Sequence, residues 1–167
     1  DIEKLKPPYT KITYEEAVNI LKKEGKDFIF GNNLGADEEK IISLKFKSPF
    51  YVVGLPKTVE PFPYLIDKNN PKFTKTADLL VPGGYGEILG IAEFITDFNE
   101  IIERIKEKSK DKQIERIKWY VELKKYGCIP HSGFGMGIER VLRWLLKLDH
   151  IRDTFLFPRT YSRVPYP

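Results

Sequence analysis

Ala77-Asp-Leu-Leu-Val81-Pro-Gly-Gly-Tyr-Gly-Glu-Ile-Leu-Gly-Ile-Ala92 sets two short runs rich in Val, Ile and Leu on either side of a Pro/Gly cluster. That is the pattern of two neighbouring strands joined by a turn. Outward from it, Phe50-Tyr-Val-Val-Gly-Leu55 and Tyr64-Leu-Ile66 have the same texture, and the connections at 56–63, 67–72 and 82–85 are rich in Pro, Gly and Asn. Such links are too short for crossover helices, so the sheet is expected to be antiparallel. Upstream, Thr13 with Glu16 at capping-box spacing, then Ala17, Ile20 and Leu21, then Gly25, predicts a short amphipathic helix, with a second helix from Glu38 to Leu44. Pro7-Pro8 makes the first dozen residues an extended lead-in, and Gly31 to Gly35 a loop. Downstream, Ile101, Ile102 and Ile105, then Ile114, Ile117, Tyr120 and Val121, recur at helical spacing around a polar break at 106–112. The mixed charges from Glu103 to Lys112 read as the solvated face of a helix end rather than a nucleic-acid patch. The expected fold is α+β, an antiparallel sheet flanked by helices.

With 167 residues, 41% hydrophobic and 13% aromatic, the chain can bury one core, so residues 1–167 are expected to form a single domain. A net charge of +4, from 28 basic and 24 acidic residues, permits nucleic-acid contact but is too mild to predict it. No apolar run reaches the roughly 20 residues of a membrane helix and no signal-peptide pattern opens the chain, so a soluble, cytoplasmic protein is expected. Cys128 stands alone, as suits a reducing compartment, and His131 and His150 lie far apart, so no disulfide or zinc cluster is expected. No Ser/His/Asp or Cys/His constellation is apparent. The chain opens on Asp1 rather than Met, which leaves room for upstream residues.

His131-Ser-Gly-Phe-Gly-Met-Gly-Ile-Glu-Arg140 places Gly133, Gly135 and Gly137 at alternate positions before a helical pattern of Ile138, Val141, Leu142, Leu145 and Leu148. Alternate glycines bare one strand face, against which a flat ligand can lie, while Arg140 and the helix start supply positive potential. Tight strand-to-helix packing, with Arg140, Arg143 and Lys147 on the helix's wet side, accounts for the same residues.

The longer run Tyr126-Gly-Cys-Ile-Pro-His-Ser-Gly-Phe-Gly-Met-Gly-Ile-Glu-Arg140, with Leu148-Asp-His-Ile-Arg-Asp153 and Phe157-Pro-Arg-Thr160, resembles motif 3 and the C-terminal end of class II aminoacyl-tRNA synthetases, closest to the asparaginyl type. Collinear similarity runs back through Val81 to Gly90, Phe50 to Val53 and Ile12 to Ala17. The resemblance implies that Arg140 grips the ATP γ-phosphate as the catalytic arginine, that Glu87, Gly135 and Gly137 share the ATP site, and that His131 and Gly133 line the amino-acid pocket. It implies ATP and magnesium as cofactors, an amino acid of unknown identity as substrate, and tRNA as a possible partner. Adenylate formation is an in-line attack of a carboxylate on the α-phosphate, so it asks for positioning and charge neutralisation rather than a protein nucleophile.

A two-residue turn at Pro82-Gly83 would set Asp78 directly opposite Glu87 on one face. Like charges so placed cost roughly 0.2–1 kcal/mol and invite a cation. A longer loop would shift the register and leave both in solvent. By resemblance, Asp78 and Glu87 align with the family's magnesium-binding carboxylates, a role suited to an ATP site.

The chain also departs from the family. Where asparaginyl- and aspartyl-type enzymes carry Gly-Ser and then an arginine that holds the amino-acid side chain, it reads Ile91-Ala-Glu-Phe94. Phe94 thus stands for the specificity arginine, and losing such a contact costs on the order of 2–5 kcal/mol, so Asn or Asp should bind poorly. Asn32 and Asn33 stand where the family often has acidic residues, and Glu60 near a usual lysine. Motifs 1 and 2 would precede Asp1, so the resemblance implies a truncated synthetase, not active as this chain alone. Its exposed sheet edge would be covered by missing residues, by a partner or by self-association. The function implied is ATP-dependent amino-acid activation if the site is completed. The alternatives are a non-aminoacylating paralog acting as a nucleotide-binding or interaction module, or a synthetase-like enzyme that forms asparagine.

Overall fold

The computed structural model describes residues 5–108 and 114–161. Its elements are β1 (Thr10–Thr13), α1 (Tyr14–Lys23), α2 (Ala36–Ser43), β2 (Phe50–Val53), β3 (Thr76–Val81), β4 (Gly86–Glu93), α3 (Phe98–Lys108), α4 (Ile114–Lys124), β5 (Ser132–Met136) and α5 (Ile138–Leu145), followed by a 3-10 turn at Ile151–Thr154. The five strands form one sheet in the order β1-β2-β3-β4-β5. The α+β class expected from the sequence holds, and β2 to β5 are antiparallel. β1, within the stretch read as an extended lead-in, adds a parallel strand against β2.

The start of α1 follows the sequence closely. Thr13 Oγ1 accepts from Glu16 N at 3.1 Å and Glu16 Oε2 from Thr13 N at 2.7 Å, which satisfies two amides that a helix start would leave unpaired. α1 buries Tyr14, Ala17, Val18 and Leu21 against Ile42 of α2 and against Phe50, Val52 and Leu80 of the sheet. Each large aliphatic side chain so enclosed contributes about 1.5–3 kcal/mol. Ile101 and Ile105 bury the inner face of α3.

Three local expectations change. Tyr64 to Ile66 is not a strand; Tyr64 bridges Phe94 and Ile66 bridges Thr74 singly, and Pro61 and Pro63 nearby withhold ladder donors. α3 continues to Lys108, three residues into the expected polar break at 106–112, and the rest of that break lies outside the described residues. Nor is the charged run wholly solvated, because Arg104 is 2% exposed and donates to Glu107 Oε2 at 2.6 Å and to the Lys57 carbonyl at 3.2 Å.

The β3–β4 hairpin corrects the register expected for Asp78 and Glu87. Its turn holds four residues, Pro82 to Tyr85, with Gly83 and Gly84 both at φ +84°, a conformation that glycine alone adopts without strain. Val81 therefore faces Gly86, and Leu80 faces Glu87. A bulge follows, leaving Ile88 without an opposite residue, so that Leu79 faces Leu89 and Asp78 faces Gly90.

The sheet's two faces differ. One rung runs from Val52 in the core through Asp78 and Gly90 to Gly135. On the other face, Tyr51, Leu79, Leu89 and Met136 form one rung, and Val53, Ala77, Ile91 and Phe134 the next. None of these is buried; Met136 is 50% and Phe134 74% exposed. The apolar Ile138, Leu142 and Leu145 of α5 are exposed too. Among the described residues β5 pairs only with β4, so its outer edge is open, and no helix is long and apolar enough to cross a membrane.

Tyr14 links core to loop. Its hydroxyl donates to the Asn32 carbonyl at 2.6 Å and accepts from Gly31 N at 3.0 Å. Tyr14→Phe orphans both groups and should destabilise the chain by about 1–2 kcal/mol, measurable as a lower urea midpoint with an unchanged slope.

Candidate active site

A cavity of about 370 Å³ opens over the Asp78–Gly90–Gly135 rung, lined also by Asn33, Glu60, Tyr64, Thr76 and Glu87. Its floor is backbone because the strands carry glycine there. A Cβ on Gly135 would meet nothing within 4 Å, whereas one on Gly90 would lie 3.3 Å from Asp78 Oδ1 and 3.4 Å from Glu87 Oε1. The two carboxylates thus converge over Gly90 although they are not cross-strand partners: Glu87 faces Leu80, which shares a sheet face with Asp78, and the bulge at Ile88 sets Gly90, rather than Leu89, opposite Asp78. Neither simply faces solvent.

Arg140 reaches this point from α5. Its Nη1 donates to the Glu87 carbonyl at 2.8 Å and to Glu87 Oε2 at 2.9 Å. Gly137 makes room for it, since a Cβ there would sit 3.3 Å from the arginine's methylenes. Gly133 is covered in turn: its Cβ would lie 3.1 Å from the Phe94 ring. Of the three alternate glycines, only Gly135 presents open floor.

Phe94 lies over Gly133, one alternate position along β5 from the open floor of Gly135. It stacks on His131 with ring centroids 5.1 Å apart and planes within 2°, and meets Tyr64 edge-on at 5.6 Å. The structure also gathers a pair that was not expected from the sequence. Cys128 Sγ lies 3.1 Å from Lys124 Nζ and 3.6 Å from His131 Nδ1, so a Cys/His pair exists after all, brought together by the turn after α4.

Electrostatics sets the site apart. Burial, then repulsion from Glu87, Glu60 and Glu39, pushes the Asp78 carboxyl up to about 8, with Arg140 opposing. Burial lifts Glu60 to about 7, with Lys108 opposing and Glu87 adding to the rise. Glu39, read only as part of a helix, belongs here too. It accepts the Glu87 N–H at 2.9 Å, and its carboxylate would sit 2.6 Å from a Cβ on Gly86. No local pattern marks Glu39, since its partners lie about fifty residues downstream. Asn33 and Glu60, singled out in the sequence, both line the cavity, whereas Asn32 serves through its carbonyl as the Tyr14 acceptor.

A raised carboxyl weakens folding as it ionises. Glu60 holds a proton in the folded chain at a pH where the unfolded chain has released it, so its penalty is absent below about pH 4, grows through pH 7 and is complete above it. Glu60→Gln should therefore match the parent in thermal stability at pH 4 and exceed it at pH 8; equal melting temperatures at pH 8 would remove the buried charge from this account.

The profile of the tRNA synthetases class II (D, K and N) matches residues 1–161. The chain is 44% identical over 166 residues to asparagine–tRNA ligase of Pyrococcus abyssi, covering 99% of itself and 38% of that protein. It is 40% identical over 168 residues to the Lactobacillus delbrueckii subsp. bulgaricus counterpart, covering 98% of itself and 38% of that protein. Among solved structures, asparaginyl-tRNA synthetase from Pyrococcus horikoshii complexed with asparaginyl-adenylate superposes with a TM-score of 0.91 at 43% identity, over 99% of this chain and 38% of that one. Aspartyl tRNA synthetase from Entamoeba histolytica gives 0.83 at 28% identity, over 94% of this chain and 33% of that one. The chain spans well under half the length of these relatives, yet nearly all of it is matched, and it belongs to the class II tRNA synthetase family.

Proposed function

We propose that this chain forms the nucleotide-handling half of an amino-acid-activating site of the asparaginyl-tRNA synthetase type. The observation that carries the reading is the meeting of Arg140, Glu87 and Asp78 over the open floor of Gly90 and Gly135. In adenylate formation a substrate carboxylate attacks the α-phosphate of ATP and pyrophosphate leaves, so the protein's work is to place the reactants and offset phosphate charge. Arg140, half exposed and anchored by Glu87, is positioned to hold the terminal phosphates. Gly135 offers a surface on which a flat group can rest. The Pyrococcus horikoshii relative holds an asparaginyl-adenylate, the product of that chemistry.

Asp78 and Glu87 fit magnesium. Among the described residues no three His, Cys, Asp or Glu side chains form a metal-holding group, and magnesium commonly takes one or two carboxylates together with substrate phosphates. Burial first, and then the neighbouring carboxylates, hold the Asp78 carboxyl up, and a cation placed beside it would offset both. When bound there, the ion would neutralise phosphate charge as it develops.

Phe94 over Gly133 favours a second reading, in which nucleotide binding persists without charging tRNA with asparagine. Under either reading, the half-exposed apolar rungs ending at Met136 and Phe134 are covered by further synthetase chain or by a second copy.

Arg140→Ala should weaken ATP binding by about tenfold or more, from the loss of a charge-assisted phosphate contact, and EDTA should weaken binding to the parent. Calorimetry giving equal, magnesium-independent affinities for both proteins would sink the assignment. Phe134→Lys should reduce any self-association seen by sedimentation; an unchanged distribution would place that contact elsewhere.

A further inference from the structure

None of the residues of α5 is buried, so packing alone does not fix this helix. Polar contacts run instead from its inner side to the β3–β4 hairpin. Gly137 N donates to the Ile88 carbonyl at 3.0 Å, Arg140 reaches Glu87, and Arg143 lies over the Tyr85 ring with its guanidinium carbon 5.3 Å from the centroid. Helix positions spaced in this way share one face, and their partners step back along the hairpin from Ile88 to Glu87 to Tyr85.

Arg143, expected on the helix's wet side, is half-buried and held at both ends. Its Nη2 donates to the Asp149 carbonyl at 3.1 Å, and its Nε is buried without a hydrogen-bond partner among the described residues. The ring face of Tyr85 offsets part of that loss. The ring in turn lies back over its own turn, since a Cβ on Gly83 would sit 3.4 Å from it. Leu148 N donates to the Arg143 carbonyl at 2.9 Å, so the same residue also holds the chain where it leaves α5.

A rod fixed at one point pivots, whereas a second fixed point removes the pivot. Gly137 and Arg143 lie about 9 Å apart along the helix, with Arg140 midway between them. We propose that Tyr85 and Arg143 form a strap that fixes α5 on the hairpin and so positions Arg140 against Glu87. Both are positioning residues and touch no substrate. The consequence for nucleotide binding rests on the activation-site reading above; the strap itself does not.

Two measurements on the full chain separate these claims. One is the Arg140 Nε–H signal in NMR spectra of the nucleotide-free chain, assigned by its loss in Arg140→Ala; the other is calorimetric titration with Mg·ATP. Tyr85→Leu removes the ring face, and Arg143→Met keeps the stem without the charge. Each should speed exchange of the Arg140 Nε proton with water and weaken Mg·ATP binding by about fivefold. Tyr85→Phe keeps the ring and should match the parent in both. A merely structural pair would lower the melting temperature yet leave the Arg140 signal and the affinity of the folded chain at parent values, and that result would overturn the proposal. So would a loss in Tyr85→Phe equal to that in Tyr85→Leu. Should Tyr85→Leu not fold, Arg143→Met decides by the same two measurements. An Arg140 signal that answers to both variants in a chain that binds no Mg·ATP keeps the strap and removes the nucleotide reading. Binding of Mg·ATP that both variants leave at the parent's affinity keeps the nucleotide reading and removes the strap.

Discussion

The site depends on one extra residue in β4. Without the bulge at Ile88, the register set by Leu80 and Glu87 would bring Leu89 rather than Gly90 opposite Asp78, and a leucine side chain would stand where the two carboxylates now converge. With it, the two carboxylates meet over bare glycine, and Glu87 is also the acceptor that draws Arg140 down from α5. The bulge is held by its neighbours. Gly83 and Gly84 turn the chain through left-handed backbone, Gly86 leaves space for Glu39, and the Glu39 carboxylate takes the Glu87 N–H. An intruding Cβ at Gly86 would push Glu39 away, and the amide that starts β4 would lose its partner.

Much of this architecture was legible in the residues. Thr13 and Glu16 mark the start of α1 because capping is local chemistry within one turn. The alternating apolar runs marked β2, β3 and β4, and the alternate glycines marked a bared strand at β5. What was not legible depended on counting across a turn or on distance. A two-residue and a four-residue turn at Pro82 to Tyr85 share the same letters, and only the folded register shows that the longer one forms. Glu39 and Glu87 lie far apart in the chain, as do Arg140 and Glu87, so no window of sequence contains either pair. Cys128 and His131 were near enough to notice but are joined only because the chain turns sharply after α4.

The glycines of β5 show how one motif divides its work. All three looked equivalent as a bared face, yet Phe94 lies on Gly133 and the Arg140 stem on Gly137, leaving Gly135 open. Packing and ligand access, posed as alternatives, are both served at successive positions. The covering of Gly133 also gives Phe94 a physical meaning: the ring fills space that a bare strand would leave to a ligand. Held between the His131 stack and the edge contact with Tyr64, that ring closes Gly133 to any ligand lying on the strand.

Charge ties these observations together. Glu39, Glu60, Asp78 and Glu87 influence one another within and beside a single cavity, against Arg140 at one end and Lys108 at the other. Burial is the largest cause of the rise at Glu39, Glu60 and Asp78 alike, so the fold opposes its own ionised site at neutral pH. Such a site is at rest only when positive charge enters it. Phosphates would meet those carboxylates only with a cation between them, which is why the proposed nucleotide site and its magnesium go together at Asp78 and Glu87. Glu60 belongs to the same field, since it lines the same cavity and the charge of Glu87 acts on it. The buried negative charge that weakens the folded chain is the same charge that favours a cation in the cavity.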